Sequence, residues 1–252
     1  MQQSEFIVSM TSFPPRINGA AKVWASILRQ DVDLRLYKRV LVLCETEFPN
    51  GLNGLPKEIQ LLVKNKLIEI IWHKTNIKSH KKLIPTLLKY PNATVLVVDD
   101  DVIRPEGWLR CFMEDHKKHP NDVITGMVAQ YLDGDHFEMY PNRAFGNTNY
   151  GTVIENGRPA NGRGGTLYPA HTFTDPRFFD ESLFMRLTPT SDESWQFYFN
   201  RRDKKPIRLI SKQFDVSNFI SGSQQQETAL WKVNHRNNGY DIIWKRLKAE
   251  LG

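Results

Sequence analysis

The chain has 252 residues, 40% hydrophobic and 25% charged. That is ordinary for one soluble α/β domain with insertions, or for two small units sharing one sheet. No apolar run approaches the ~20 residues of a membrane span, and Met1 to Met10 lacks the basic region and apolar length of a signal peptide, so the cytoplasm is the expected location. The net charge of +6 favours anionic partners, and it permits peripheral contact with the anionic inner face of a membrane. Basic residues are dispersed and carry no nucleic-acid-binding signature, so no nucleic-acid partner is expected. Cys44 and Cys111 form neither a disulfide framework nor a metal spacing and read as buried free thiols.

Strand and helix alternate through the first half. Phe6 to Met10 reads as a strand running into Thr11-Ser-Phe-Pro-Pro-Arg16, where two prolines bar regular structure. A helix is predicted from Gly19 to Gln30, with Val23, Trp24, Ile27 and Leu28 on one face. Arg39 to Cys44 is the second strand, Glu45 to Leu55 a loop, and Pro56 opens a short helix through Val63. Leu67 to Trp72 is the third strand. Ser79 can cap a helix to Tyr90 with Leu83, Ile84, Leu87 and Leu88 buried, although Pro85 delays or kinks its first turns. Thr94 to Val98 is a run of β-branched residues and Leu, as expected of a strand buried on both faces. Pro105 opens the next helix, with Trp108, Leu109 and Phe112 inward. This alternation predicts a mostly parallel sheet with helices on both faces.

The second half is less periodic. Asp122 to Tyr131 reads as one strand. Leu132 to Arg163 is long, polar and rich in Gly and Asn, as functional loops are; it is expected to close over an acceptor. Gly164 to Ala170 returns to order, Ser191 or Asp192 caps a helix over Trp195 to Arg201, Pro206 to Ile210 is a late strand, and Asp241 to Leu251 a final amphipathic helix. Residues 1–120 and 121–252 form the two predicted halves of one domain.

Chemistry concentrates at Asp99-Asp100-Asp101. Three adjacent carboxylates at the end of an apolar strand repel one another, and a hard divalent cation, Mn²⁺ or Mg²⁺, is the economical reason for them. Ligands of open α/β sheets bind at such strand ends. Alternation points Asp99 and Asp101 to one side and Asp100 to the other, which leaves open which of them touches a metal. Lys78, Lys81 and Lys82, with Arg16, are candidates to face phosphate oxygens. Asp192 and Glu193 are the candidates for a general base, against the simpler reading that they only favour a helix N-terminus. His235 is a candidate metal ligand. Gly-x-Gly-x-x-Gly, Walker, Gly-x-Ser-x-Gly and zinc spacings are absent.

In this order Ile7-Val-Ser-Met-Thr-Ser-Phe-Pro-Pro-Arg-Ile17, Lys78 to Leu87, Val98-Asp-Asp-Asp-Val-Ile-Arg-Pro105, Gly164-Gly-Thr-Leu-Tyr-Pro169 and Pro189-Thr-Ser-Asp-Glu-Ser-Trp195 resemble the GT-A glycosyltransferases, among them small bacterial enzymes of surface-polysaccharide synthesis. The resemblance implies a GT-A-like fold, a nucleoside-diphosphate sugar donor and a glycan or lipid-linked saccharide acceptor. It implies that Asp99, Asp100 and Asp101 form a DXD-type motif for donor and metal, and that Thr11, Ser12, Arg16, Gly164 and Gly165 belong to the donor site. It also implies that Asp192 or Glu193 is the base of an inverting reaction, and that His235 adds to the metal. A metal-dependent nucleotidyltransferase and a non-catalytic carbohydrate-binding protein are the alternative classes.

Overall fold

The computed structural model describes residues 5–128, 130–133, 136–139, 149–154, 160–223, 230–235 and 238–252. A seven-stranded sheet runs through the molecule. Its strands in chain order are β1 (Phe6–Thr11), β2 (Lys38–Cys44), β3 (Glu69–His73), β4 (Thr94–Val98), β5 (Val123–Thr125), β8 (Thr166–Tyr168) and β9 (Ile207–Leu209). Across the sheet the order is β3-β2-β1-β4-β8-β5-β9. Only β8 runs antiparallel to its neighbours, β4 and β5; the other pairs are parallel. Two short strands, β6 (Gln130–Asp133) and β7 (His136–Met139), make a separate antiparallel hairpin. Strands from both predicted halves thus enter one sheet.

Alternation along each central strand divides the core in two. Val95 and Val97 of β4 face one cluster with Ile7, Val40 and Val42. Leu96 and Val98 face the other with Val8, Met10, Leu41 and Leu43. Helices cover both faces. Helix α1 (Ile17–Leu28) packs Val23, Trp24 and Ile27 on the second cluster, and α4 (Trp108–Lys118) adds Trp108, Leu109 and Phe112. The first cluster is closed by α3 (Ile84–Lys89), α5 (Glu181–Leu187), α6 (Asp192–Arg202) and α8 (Gly239–Leu251). Helices α2 (Lys57–Lys64) and α7 (Leu230–His235) complete the chain order. No described helix is long and apolar enough to cross a membrane, and both cysteines are free and buried.

Several boundaries differ from expectation for local reasons. The segment expected as one helix from Ser79 to Tyr90 is a 3-10 turn, Lys78–Lys82, followed by α3. Pro85 sits in the first turn of α3, where its missing N–H costs no intrahelical bond. Leu88, expected to be buried, is exposed. The strand expected from Asp122 to Tyr131 ends at Thr125. A Cβ on Gly126 would lie 2.3 Å from the carbonyl oxygen of Gly164, so the backbones meet there and the ladder stops. Of the polar stretch 132–163, residues 134–135, 140–148 and 155–159 lie outside the described residues.

Candidate active site

The C-terminal ends of β1 and β4 lie side by side, with Met10 in register with Val98. The Asp triplet therefore emerges next to the turn after β1. Ser12 Oγ donates to Asp100 Oδ2 at 2.5 Å. The Arg16 guanidinium, just ahead of α1, reaches Asp100 Oδ1 at 3.1 Å and Asp101 Oδ2 at 3.0 Å, and donates to the Ser223 carbonyl at 3.2 Å. Thr11 does not join them. Its hydroxyl donates to the Val42 carbonyl at 2.8 Å and ties β1 to β2.

The three lysines separate. Lys81 is buried, with Nζ 2.6 Å from Glu47 Oε2 and 3.3 Å from Asn76 Oδ1, away from the triplet. Lys78 lies at φ +51°, and its amide donates to Asn76 Oδ1. Lys82 turns into the site. Its Nζ lies 2.9 Å from Asp99 Oδ1 and 3.2 Å from Asp192 Oδ2. In a 3-10 turn successive side chains diverge by about 120°, so adjacent lysines serve different partners. Lys82 thereby joins the end of β4 to the start of α6.

Helix α6 begins here because Ser191 caps it, its Oγ accepting from the Ser194 amide at 3.2 Å. That puts both acids in its first turn. Asp192 is buried; its Oδ2 also accepts from Gln196 Nε2 at 3.3 Å, and Gln196 is itself bonded by the Tyr168 hydroxyl at 2.7 Å. Glu193 keeps part of its surface open, and its Oε1 accepts from the Gly162 amide at 2.6 Å. Gly162 lies against the same cluster: a Cβ there would sit 2.9 Å from Lys82 Nζ and 3.0 Å from Asp99 Oδ1.

Gly164 and Gly165 have another task. The Gly164 carbonyl accepts from Trp108 Nε1 at 3.0 Å. Gly165 has φ +85°, and a Cβ there would meet the Trp108 ring at 2.5 Å. Both glycines let β8 close against α4 and β5. His235 ends α7, and its side chain is outside the described residues.

Sequence reasoning missed several participants. Arg104 is buried beneath the triplet, its guanidinium 4.9 Å over the Trp108 ring and donating to the carbonyls of Arg163 and Asp99. Residues 216–223 pass over the acids. Ile220 N donates to Asp101 O at 2.7 Å, Ile103 N to Asn218 O at 2.9 Å, and Arg163 Nε to Val216 O at 2.9 Å. A backbone partner such as Ser223 leaves no trace in residue type. Arg104, a charge between apolar Ile103 and the Pro105 expected to open a helix, was the one signal available.

Charge is crowded. Burial works against ionised Asp99, but Lys82, backed by Arg104 and Arg16, outweighs it and holds that carboxyl below its usual range. For Asp100 burial prevails over Arg16 and Ser12, and the carboxyl is raised. Asp101 is pushed up to about 6 by burial and by Asp99. Glu193 is pushed up to about 7, by burial first and by Asp192, against the pull of Lys82. Burial opposes the Lys82 charge, yet Asp192, Asp99 and Glu193 together raise it well above its usual range. Burial lowers Arg104 to about 10.

Among the described residues no three acidic, His or Cys side chains form a ready-made metal cage. Mg²⁺-type sites that hold substrate phosphates do not need one; they use one or two carboxylates and complete the shell with phosphate and water. The donor set suits that kind of ion. The carboxyls of Asp99, Asp100, Asp101, Asp192 and Glu193 gather around the Arg16, Lys82 and Arg104 side chains, and every candidate ligand is a hard oxygen.

A cavity of ≈ 500 Å³ is lined by Pro14, Ile17, Asn18, Phe48, Asn50 and Leu55 among others. It adjoins the loops after β1 and β2, at the same end of the sheet as the acids.

No family model matches the chain, and no curated protein matches it. Solved structures do. S. aureus TarS residues 1–349 is similar at TM-score 0.55 and 18% identity, over 83% of this chain and 58% of that one. The same protein in complex with UDP gives 0.55 and 16%, and in complex with UDP-GlcNAc 0.52 and 14%, with coverage of 83% and 58% or 56%. The chain thus spans somewhat over half of these neighbours. At such identities the similarity is one of fold, and the fold is GT-A-like.

Proposed function

We propose that this chain is a glycosyltransferase that moves a sugar from a nucleoside-diphosphate sugar to an acceptor hydroxyl, with inversion, in the synthesis of a surface glycan. The observation that carries the reading is the Lys82 bridge. It gathers the acids after β4 and the acids of α6 around one ammonium, at the strand ends where a GT-A-like fold binds ligands. The TarS complexes with UDP and UDP-GlcNAc support a nucleotide-sugar donor.

The roles follow from exposure and charge. The donor diphosphate lies across Asp99 and Asp101, the nucleoside extends past Arg16, and the base enters the cavity beside Pro14 and Phe48. Asp99 and Asp101 would hold a Mn²⁺ or Mg²⁺ ion, which would supply Lewis-acid neutralisation of the leaving diphosphate. Arg16 adds a fixed positive charge toward the same oxygens. Ser12 keeps Asp100 turned away, so Asp100 orients Arg16. Glu193 is the base. It is open to an acceptor and its carboxyl titrates near neutrality, where a group can both hold and release a proton. The amide of Gly162 aims it. Asp192 is buried, and its Oδ2 is shared between Lys82 and Gln196; it positions Lys82 and the first turn of α6.

The test is a screen of nucleoside-diphosphate sugars, with Mn²⁺, Mg²⁺ or chelator, scored for the nucleotide released. Nucleoside diphosphate is expected. Pyrophosphate would point to nucleotidyl transfer, and no turnover with any donor would defeat the reading.

A further inference from the structure

Lys82 is a buried ammonium with two carboxylate partners on different elements. Its side chain is 7% exposed and that of Asp192 6%, whereas Asp99 is 30% exposed. The two ends of the bridge are therefore unequal. A ligand can reach Asp99 from solvent, while Asp192 is enclosed, its Oδ2 shared between Lys82 and Gln196, which the Tyr168 hydroxyl holds in turn. An ammonium has three N–H donors on one flexible stem, and it redistributes them with little movement of the chain. Anything that takes the oxygens of Asp99 leaves Lys82 to Asp192 alone.

We propose that Lys82 is a positioning residue that couples donor binding to the acceptor side: occupation of Asp99 shifts the ammonium onto Asp192 and tightens the first turn of α6, which carries Glu193. This rests on the glycosyltransferase reading, since it takes the donor to be what occupies Asp99. The neighbourhood suits transmission. Gly162 lies against both Lys82 and Asp99 while its amide holds Glu193, so one backbone segment senses the bridge and aims the base. Thr188, shortly before the Ser191 cap, is tied by its carbonyl to buried His80 Nε2 at 2.9 Å, in the same 3-10 turn as Lys82. Both anchors of the segment 188–194 thus lie on that turn. Such a coupling is reciprocal, so a tightened α6 must in turn favour the bound donor.

The experiment is hydrogen–deuterium exchange of residues 188–196, with and without saturating UDP and Mn²⁺, in the wild type and in Lys82→Met, Lys82→Arg and Asp192→Asn. Calorimetry on the same samples reports nucleotide binding, and GDP, CDP and dTDP replace UDP where UDP does not bind. In the wild type, nucleotide is expected to slow exchange of this segment about fivefold or more. Lys82→Met is expected to bind nucleotide without slowing exchange, and Lys82→Arg, which can also reach two carboxylates, to restore part of the slowing. Asp192→Asn removes the far end of the bridge and leaves Asp99 intact, so it tests the coupling even where Lys82→Met fails to fold. Unchanged exchange in a wild type that binds nucleotide would overturn the proposal, as would the same slowing in Asp192→Asn. Failure of the wild type to bind any of the four nucleotides would instead defeat the glycosyltransferase reading on which the proposal stands.

Discussion

At the end of β4 three adjacent carboxylates are each met by a side chain from another element: Lys82 on Asp99, Ser12 and Arg16 on Asp100, and Arg16 on Asp101. At the start of α6 two adjacent carboxylates part ways. Asp192 is enclosed and bonded, while Glu193 is partly open and held only by a backbone amide among the bonds described. The first cluster shares its charge among partners from elsewhere in the chain. The second sets an enclosed acid beside one that is partly open. Adjacent residues of the same chemical type thus differ in role because the first turn of a helix sends them in different directions.

The sharpest way to break this comparison is to remove the two α6 acids one at a time. Glu193→Gln keeps an oxygen that can accept from the Gly162 amide but removes the base, and kcat for transfer is expected to fall about 10²- to 10⁴-fold with nucleotide affinity unchanged. Asp192→Asn is expected to cost less in kcat and more in melting temperature, because it leaves the buried Lys82 with one carboxylate in place of two. The reverse ranking in steady-state kinetics would exchange the roles given to the two residues.

On the β4 side, Asp99→Asn and Asp101→Asn are each expected to lower turnover of the donor about 10²- to 10³-fold by weakening the hold on the metal proposed to neutralise the leaving diphosphate. Asp100→Asn acts only through Arg16 and is expected to cost about tenfold. Initial rates over a series of Mn²⁺ concentrations separate the three: the first two variants should need more metal for half-maximal rate, and Asp100→Asn should not. Equal metal dependence in all three would remove the distinction between the two sides of the triplet.

The first cluster was far more legible in the sequence than the second. A run of β-branched residues and Leu marked Thr94–Val98 as a strand buried on both faces, and it is: Val95 and Val97 lie in one core cluster, Leu96 and Val98 in the other. Capping chemistry offered Ser191 or Asp192, and Ser191 is the cap. What could not be read is what depends on tertiary approach. Nothing distinguishes Lys81 from Lys82 in the sequence, yet Glu47 takes one and Asp99 the other. Thr11 resembles a ligand residue until β2 presents the Val42 carbonyl to it. Gly164 and Gly165 look like a ligand-binding pair, and are glycine because the Gly126 backbone and the Trp108 ring come too close for a side chain.

That reassignment of Gly165 is itself testable. Gly165→Ala adds a Cβ at a left-handed φ and against the indole of Trp108. Left-handed strain costs about 1–2 kcal/mol and overpacking about 1–3 kcal/mol, so chemical denaturation should show a loss of roughly 3 kcal/mol. Nucleotide affinity measured well below the unfolding transition should stay within about twofold. A large loss of affinity with little loss of stability would return Gly165 to the donor site.

The smallest expected effect separates Glu193 from the other acids by pH. Its carboxyl lies at about 7 against an ordinary value of 4.5. Between those values the folded protein keeps a proton that the unfolded chain has released, so the folded state binds more protons and stability falls as pH rises through this window. The contribution of Glu193 is therefore most favourable below about pH 4.5 and fully lost above about pH 7. Glu193→Gln carries no titrating group there. Its melting temperature should exceed that of the wild type by a few degrees at pH 8, and the difference should shrink toward pH 5. The kinetic counterpart has the opposite sign. Wild-type transfer should rise with pH as Glu193 gives up its proton near 7, while the residual rate of Glu193→Gln should lack that rise. Should wild type and Glu193→Gln keep a constant gap in melting temperature from pH 5 to 8, Glu193 would be an ordinary ionised acid, and its contrast with Asp192 would reduce to solvent exposure alone.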